Sequence, residues 1–277
     1  MKTDRFFTTF TLISRIPVTR KFTMDFSRSD FWIPAISPIV SLAALAGYAA
    51  GILLTGSSFL AVLASIALQY LSFNLFHLDG LIDSADAMLP AATPERRLEI
   101  LKDPRIGTYG FFAAAMSLSF RAGAMQYLAG QGIFFIALVA GLLAAPLAGR
   151  IACALVPLIA KPARPDGLGA LMKGFSMSRI MKGALLACIP LLAFSAVAFI
   201  GSPDSGSWLA RSAALFGASL LAVIAGCCAS AFGIARMYTR KIGGFTGDSL
   251  GAAMELGETA ALVFFTVILN LSGGLYF

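Results

Sequence analysis

Charged residues are scarce in this chain. Asp, Glu, Lys and Arg make up 13% of its 277 residues against 58% hydrophobic, and the mean hydropathy is +0.84, a balance that excludes a soluble globular domain. Cysteine is sparse too. Cys153, Cys188, Cys227 and Cys228 fall inside apolar runs, at spacings that suit neither a zinc nor an iron–sulfur site, and read as packing residues. There is a single histidine, His77. No internal repeat, low-complexity tract or soluble domain interrupts the sequence. The polar chemistry must therefore come from a few loops and the residues bordering them.

What the chain has instead is a series of apolar runs of about 20 residues, each long enough for a hydrocarbon core of roughly 30 Å. They cover Ile33–Leu54, Ser58–Phe76, Phe111–Leu128, Ile133–Ile159, Gly183–Ile200, Ala213–Ala235 and Glu258–Ser272. The expected fold is an all-α, polytopic integral membrane bundle of about seven transmembrane helices, with residues 1–277 forming one catalytic domain. Of the 21 Lys and Arg, segments 1–31, 78–110, 161–182 and 236–256 hold six, four, five and three, whereas the intervening loops hold only Arg211. Basic loops stay on the cytoplasmic side, so the N-terminus and the three loops 78–110, 161–182 and 236–256 are expected inside and the C-terminus outside. The net charge of +7 and the pI near 9.5 follow from this topology and need no nucleic acid.

The opening run RFFTTFTLISRIPV does not read as a signal peptide, because its apolar core is short, broken by threonines and followed by Arg15 and Pro17. Phe6, Phe7, Phe10 and Ile13 share a helical face, which predicts an interfacial helix within residues 1–31 lying on the inner leaflet.

The densest chemistry lies in HLDGLIDSADAML. At about 100° per residue, Asp79, Asp83 and Asp86 fall within roughly 60° of arc, one turn apart, where an apolar stretch ends. Like charges stacked this way call for a cation, and a divalent metal with a phosphate-bearing substrate is the economical answer. The next segment, PAATPERRLEILKDPRIGTYG, opens a short helix at Thr93-Pro94-Glu95 that carries Arg96, Arg97 and Lys102. Asp103-Pro104 ends it, leaving Asp103 on a turn free to point back at the triplet. Arg96, Arg97 and Arg105 serve either as salt-bridge partners of the aspartates or as phosphate ligands beside a metal. His77 sits about 160° from Asp79 on a continuous helix and shares a face with Asn74, so it is a substrate contact, a proton-transfer residue or a helix-end histidine bonded to a carbonyl.

The second inner loop, AKPARPDGLGALMKGFS, sets Arg164, Asp166, Gly167 and Gly169 in a turn-rich stretch whose freed amides suit a diphosphate or nucleotide. In the third, RKIGGFTGDSLGAAMELGE, Gly243, Gly244, Thr246 and Gly247 precede Asp248, and Asp248 and Glu255 share a face seven residues apart. Arg121 and Arg150 lie inside the spans and need an acid or a substrate anion; Asp248, Glu255 and Glu258 are the candidates.

Taken together, HLDGLIDSADAML, RRLEILKDPRIGTYG, ARPDGLG, IGGFTGDSLGA with Glu255 and Glu258 behind it, and the early RIPV resemble the cobalamin synthase family of adenosylcobinamide-GDP ribazoletransferases, in the expected order over nearly the whole chain. One stretch departs from the family pattern: Phe73-Asn74-Leu75-Phe76 stands where small, glycine-rich residues are usual. The resemblance implies a Mg2+-dependent membrane enzyme of the prokaryotic cytoplasmic (inner) membrane. It would join adenosylcobinamide-GDP to α-ribazole or its 5′-phosphate and release GMP. It further implies metal ligands among Asp79, Asp83, Asp86 and Asp103, and a base that is one of these aspartates or His77. Phosphate or substrate contacts are implied at Asn74, Arg96, Arg97, Lys102, Arg105, Arg164, Asp166, Gly244, Thr246, Gly247 and Asp248. Assembly into a homo-oligomer is left open.

Two other classes compete. A CDP-alcohol-type membrane phosphotransferase also uses aspartates on membrane helices, but its pattern needs Ala-Arg where Asp83-Ser84 stands here. A secondary transporter would carry its acids near the bilayer midplane, whereas most here lie at the inner boundary.

Overall fold

A computed structural model describes residues 2–130, 134–165, 167–172, 174–200 and 208–272. Among these residues, twelve α-helices follow one another: α1 Lys2–Ile13, α2 Ser29–Ala35, α3 Ser37–Thr55, α4 Ser58–Gln69, α5 Leu75–Met88, α6 Pro94–Ile100, α7 Thr108–Ala129, α8 Phe134–Ile159, α9 Leu168–Leu171, α10 Met177–Val197, α11 Trp208–Ile242 and α12 Gly247–Leu271. A π-helical turn, Tyr70–Asn74, joins α4 to α5 without a break. Among the described residues the sole β pairing is an isolated parallel bridge between Pro162 and Phe245.

Among the described residues, six segments are long and apolar enough to cross a membrane: Ser29–Thr55, Ser58–Met88, Phe135–Ile159, Met177–Val197, Trp208–Ile242 and Gly247–Leu271. This is a multi-pass membrane protein. The expected seventh, α7, has the length at 22 residues and packs against α4, α5, α8 and α12, but Ser117, Arg121 and Gln126 dilute its apolarity. α12 and α8 sit at the centre, with α11, α5 and α7 around α12. Outward-facing leucines and phenylalanines such as Leu53, Leu54, Phe111, Leu185 and Leu221 are exposed, as a lipid-facing surface requires.

The helices overrun the apolar runs, because hydropathy stops where polar side chains begin and the backbone does not. The second span does not end at Phe76: it continues 12 residues to Met88, so the start of the expected loop 78–110 is helix and carries the aspartates. α12 begins at Gly247 rather than Glu258, and α10 at Met177 rather than Gly183. The 236–256 segment is mostly the end of α11 and the start of α12, with only Gly243–Thr246 between them. The turn between α3 and α4 follows local rules. Gly56 ends α3 in the left-handed region at φ +67°, and Ser57 caps α4 by accepting from Leu60 N.

The N-terminal helix forms as expected, but part of its apolar stripe is buried in protein rather than laid on lipid. Phe10 and Ile13 pack with Ile36, Val40 and Phe73, Phe6 stacks against Phe10 and Trp32, and Thr9 Oγ1 lies 3.3 Å from Ser29 Oγ. Arg15 N donates to the Ser72 carbonyl, which pins the following chain to the π turn.

The α8–α9 and α11–α12 loops are stapled by the parallel bridge: Ala163 N donates to Phe245 O and Phe245 N to Lys161 O, both at 2.9 Å. Gly244 sits behind it, where a Cβ would run into the backbone of Lys161–Ala163. The structure therefore places Gly244 as a close backbone contact between loops. Gly244→Ala is expected to destabilise by about 1–3 kcal/mol through overpacking, read as a lower thermal midpoint of the detergent-purified protein; an unchanged midpoint would show that the loops do not meet this closely.

Candidate functional site

Where each arginine goes decides what is left of the aspartates. Arg97 is buried and donates to the Ala87 and Pro90 carbonyls at 2.6 and 3.0 Å, and Lys241 Nζ donates to Met88 O. Both cations thus cap the C-terminus of α5, where carbonyls lack helical partners. Arg96 is exposed and paired with Glu99 at 2.8 Å. Arg105 grips Asp103 with both ends of its guanidinium, Nε to Oδ1 at 2.9 Å and Nη2 to Oδ2 at 2.6 Å. Lys102 is exposed beside them. None of these five cations is bonded to the Asp79, Asp83, Asp86 triplet.

The triplet itself divides. Asp86 accepts from Gly107 N at 2.7 Å and Gly110 N at 2.8 Å, so it caps the first turn of α7, where a carboxylate is favoured. Asp79 and Asp83 have no hydrogen-bond or ion-pair partner among the described residues; Asp79 is exposed and Asp83 half-buried. The charges acting on Asp83 come from Asp79, Asp248 and Asp86, and Asp103 is not among them. Asp103 instead faces Arg105 and Arg96, which together with the Arg105 amide pull its carboxyl down to about 2.

Asp248 reaches the pair because α12 abuts α5. A Cβ at Gly80 would lie 2.7 Å from the Asp248 carbonyl oxygen, and one at Gly251 3.0 Å from the His77 carbonyl oxygen. Only glycines permit such an approach. Thr246 is the N-cap of α12 in a capping box with Ser249, and its hydroxyl also donates to Asp248 Oδ2 at 3.1 Å. Beside this helix start lies a cleft of about 240 Å³ lined by Phe76, Pro162, Arg164, Gly167, Gly169, Phe245, Thr246, Gly247 and Asp248. Arg164 is held there by one bond, Nη2 to Leu98 O at 3.1 Å, which leaves its other N–H groups available. Gly167, at φ +81°, occupies the left-handed region that glycine favours. Asp166 lies outside the described residues.

His77 lies inside α5, which runs unbroken through Gly80, and is buried with Nδ1 unpartnered. It lines a chamber of about 20 Å³, with Phe76 and Gly247 shared between this chamber and the cleft. Asn74 sits deeper. Its amide donates to Glu255 Oε1 at 2.9 Å and Glu258 Oε1 at 3.1 Å, and its oxygen accepts from Arg150 at 3.3 Å. Around it, Arg121 pairs with Glu258 at 2.8 Å and Glu255 at 3.2 Å, and Arg150 with Glu258 at 2.5 Å. Gln69 donates to Glu258 at 2.7 Å and Tyr70 to Glu255 at 2.5 Å. The structure thus pairs Arg121 and Arg150 with Glu255 and Glu258, and not with Asp248. All seven residues are buried, and the two positive and two negative charges balance.

The site thus brings together Asp79, Asp83, Asp248, Arg164, Thr246 and Gly247, with His77 beneath. It leaves Asp86, Asp103, Arg96, Arg97, Arg105, Gly244 and Asn74 bonded or packed elsewhere, and Lys102 exposed. Sequence reasoning missed the cleft-lining Phe76 and Phe245, the hydrogen-bonded pair Ser84–Tyr238 at 2.6 Å, and Gln69 and Tyr70. Gln69 and Tyr70 carried a signal: two hydrogen-bonding side chains inside an apolar run, four and five residues from Asn74.

As for a metal, no group of three His, Cys, Asp or Glu among the described residues is placed to hold one alone. Two unpartnered carboxylates nevertheless fit magnesium, which commonly takes one or two carboxylates and completes its shell with water and substrate phosphate.

A family model described as Cobalamin-5-phosphate synthase matches residues 5–266. The chain belongs to that family. Relatives named adenosylcobinamide-GDP ribazoletransferase include one from Bradyrhizobium diazoefficiens, 34% identical over 237 residues, covering 86% of this chain and 82% of the relative. Those from Brucella ovis and Brucella canis are each 38% identical over 191 residues, covering 68% of this chain and 65% of theirs. No solved structure matches. Within the cobalamin-5-phosphate synthase match lie all the residues gathered above, from His77 to Asp248.

Releasing Asp103 tests the ion-pair assignment. Its lowered carboxyl means that the pair with Arg105 stabilises the fold above the ordinary carboxylate range, and that this contribution is lost as pH falls toward about 2. In Arg105→Gln, which keeps the residue-105 amide, an NMR titration should find the Asp103 carboxyl moved up toward the unperturbed value of about 3.9; a carboxyl still near 2 would mean that another group holds it.

Proposed function

We propose that this chain transfers the cobinamide phosphoryl group of adenosylcobinamide-GDP to α-ribazole or its 5′-phosphate, releasing GMP, at the cytoplasmic side of a prokaryotic inner membrane and with Mg2+. Family membership supports the reaction class. The observation that carries the residue assignment is the unneutralised pair Asp79 and Asp83, set against the α12 N-terminus and Arg164. The basic loops on the same side support the cytoplasmic orientation.

Phosphoryl transfer asks a protein chiefly for positioning and charge stabilisation. Asp79 and Asp83, with Asp248 across the seam, are the residues that would hold magnesium, whose chemistry there is to neutralise charge on the diphosphate. Arg164 and the first-turn amides of α12 bind phosphate oxygens, as a helix N-terminus does. The ribazole hydroxyl oxygen attacks the phosphorus on the cobinamide side, the bond from that phosphorus to the GMP oxygen breaks, and the hydroxyl proton passes to a carboxylate. We assign that carboxylate to Asp83, because His77 is buried whereas Asp83 is half-exposed. The cleft of about 240 Å³ is below the ~300–1,000 Å³ of pockets for drug-sized ligands, so it suits a nucleoside or phosphate portion and leaves the corrin ring outside.

The transporter reading gains nothing from the buried acids: Glu255 and Glu258 are bonded to Arg121 and Arg150.

Purified protein with both substrates should release GMP only when Mg2+ is present. Asp83→Asn should lower turnover by on the order of 100-fold or more with the fold intact. Asp86→Asn should chiefly lower thermal stability, by the ~0.5–2 kcal/mol of a lost cap. Full turnover in Asp83→Asn, or CMP release from a CDP-alcohol in place of GMP release, would overturn the assignment.

A further inference from the structure

The seven-residue buried network takes no part in the chemistry above, yet it ties the end of α4 and the π turn that leads into α5 to Glu255 and Glu258 of α12, with Arg121 from α7 and Arg150 from α8. The α5–α12 seam runs antiparallel: Asn74 is bonded to Glu255, the His77 backbone touches Gly251, and Gly80 touches Gly251 and Asp248. Asp248 and Glu255 are two turns apart on one face of α12, about 10 Å along the axis.

Glycine against glycine brings backbones close but seats no side chain in a hole. Such a seam resists separation and only weakly resists sliding. Register has to be set elsewhere. The network supplies it, because its bonds are directional and no water within the bilayer core can replace them. A shift of α12 by one turn would break the contacts of Gln69, Tyr70 and Asn74 with Glu255 and Glu258 together, and would leave Arg121 and Arg150 buried and unpaired. The π turn serves the same end. Its wider winding lets Gln69, Tyr70 and Asn74 all reach the glutamates from a single stretch of helix. Fixing register through a buried polar group is a well-attested role for an asparagine between packed helices.

We propose that the Asn74-centred network is the register lock of the α5–α12 seam, and that through it Glu255 and Glu258 position Asp248 against Asp79 and Asp83. These are positioning residues: they act on the reaction through Asp248. The kinetic consequence rests on the transferase reading above, whereas the structural one does not.

The test is a double-mutant cycle on GMP release. Asn74→Ala should lower kcat about 10-fold or more with KM changed less than about 3-fold, yet change kcat less than about 2-fold once Asp248→Asn is present. Tyr70→Phe, which removes one hydroxyl, should show the same non-additivity at smaller amplitude and serves if Asn74→Ala does not fold. Equal factors in both backgrounds would overturn the lock. Amide hydrogen exchange reads it independently of activity. Exchange at residues 247–252 should rise about 10-fold or more in the Asn74 variant, two turns from the broken bonds; a rise confined to residues 255–259 would contradict it. Absence of GMP release from the unsubstituted protein would count against the transferase reading, and the exchange pattern would then decide the lock by itself.

Discussion

A charge inside a lipid-surrounded bundle has to find a partner, and most of this structure follows from how its few charges meet that demand. Arg121 and Arg150 are matched by Glu255 and Glu258 in the interior. At the helix ends, Arg97 and Lys241 close the end of α5, and Asp86 closes the start of α7. Arg105 takes Asp103 and Arg96 takes Glu99. After these pairings Asp79 and Asp83 remain without a partner among the described residues. Their charge is the unmet demand on which the functional reading stands.

The fold delivers that pair to a useful place. The second span runs straight through the membrane boundary, so the aspartates sit on a rigid helix instead of a loop. The glycine seam brings Asp248 and the start of α12 alongside, and the Pro162–Phe245 bridge ties the Arg164 loop to the same spot. Unpartnered carboxylates and the Arg164 guanidinium thus lie at one mouth, a pairing of opposite charges of the kind phosphoryl transfer uses.

Much of this was legible in the sequence, and the failures share a cause. The helical class, the spans and the triplet's common face came from periodicity and hydropathy, which report what a residue does on its own element. Partner choice is tertiary. Nothing in SADAML says that Asp86 meets the Gly107 and Gly110 amides, or in PERR that Arg97 turns back to Ala87 and Pro90. Asn74 was expected at the substrate through the family resemblance; its side chain is instead bonded to Glu255 and Glu258. Span ends were set too early at Phe76 and too late at Glu258 because hydropathy marks where lipid stops, not where hydrogen-bonded turns stop. The apolar stripe of α1 was real, but its neighbours, Ile36 and Phe73, could not be read from α1 itself.

Cation binding tests the central claim most directly. Manganese titration followed by electron paramagnetic resonance, on the purified protein in nanodiscs, measures it without reference to turnover. The pairing described here predicts that Asp79→Asn with Asp83→Asn weakens manganese binding about 10-fold or more, while Asp103→Asn, whose carboxylate already belongs to Arg105, leaves it unchanged. Undiminished binding in the Asp79/Asp83 variant, or loss in the Asp103 variant alone, would contradict it.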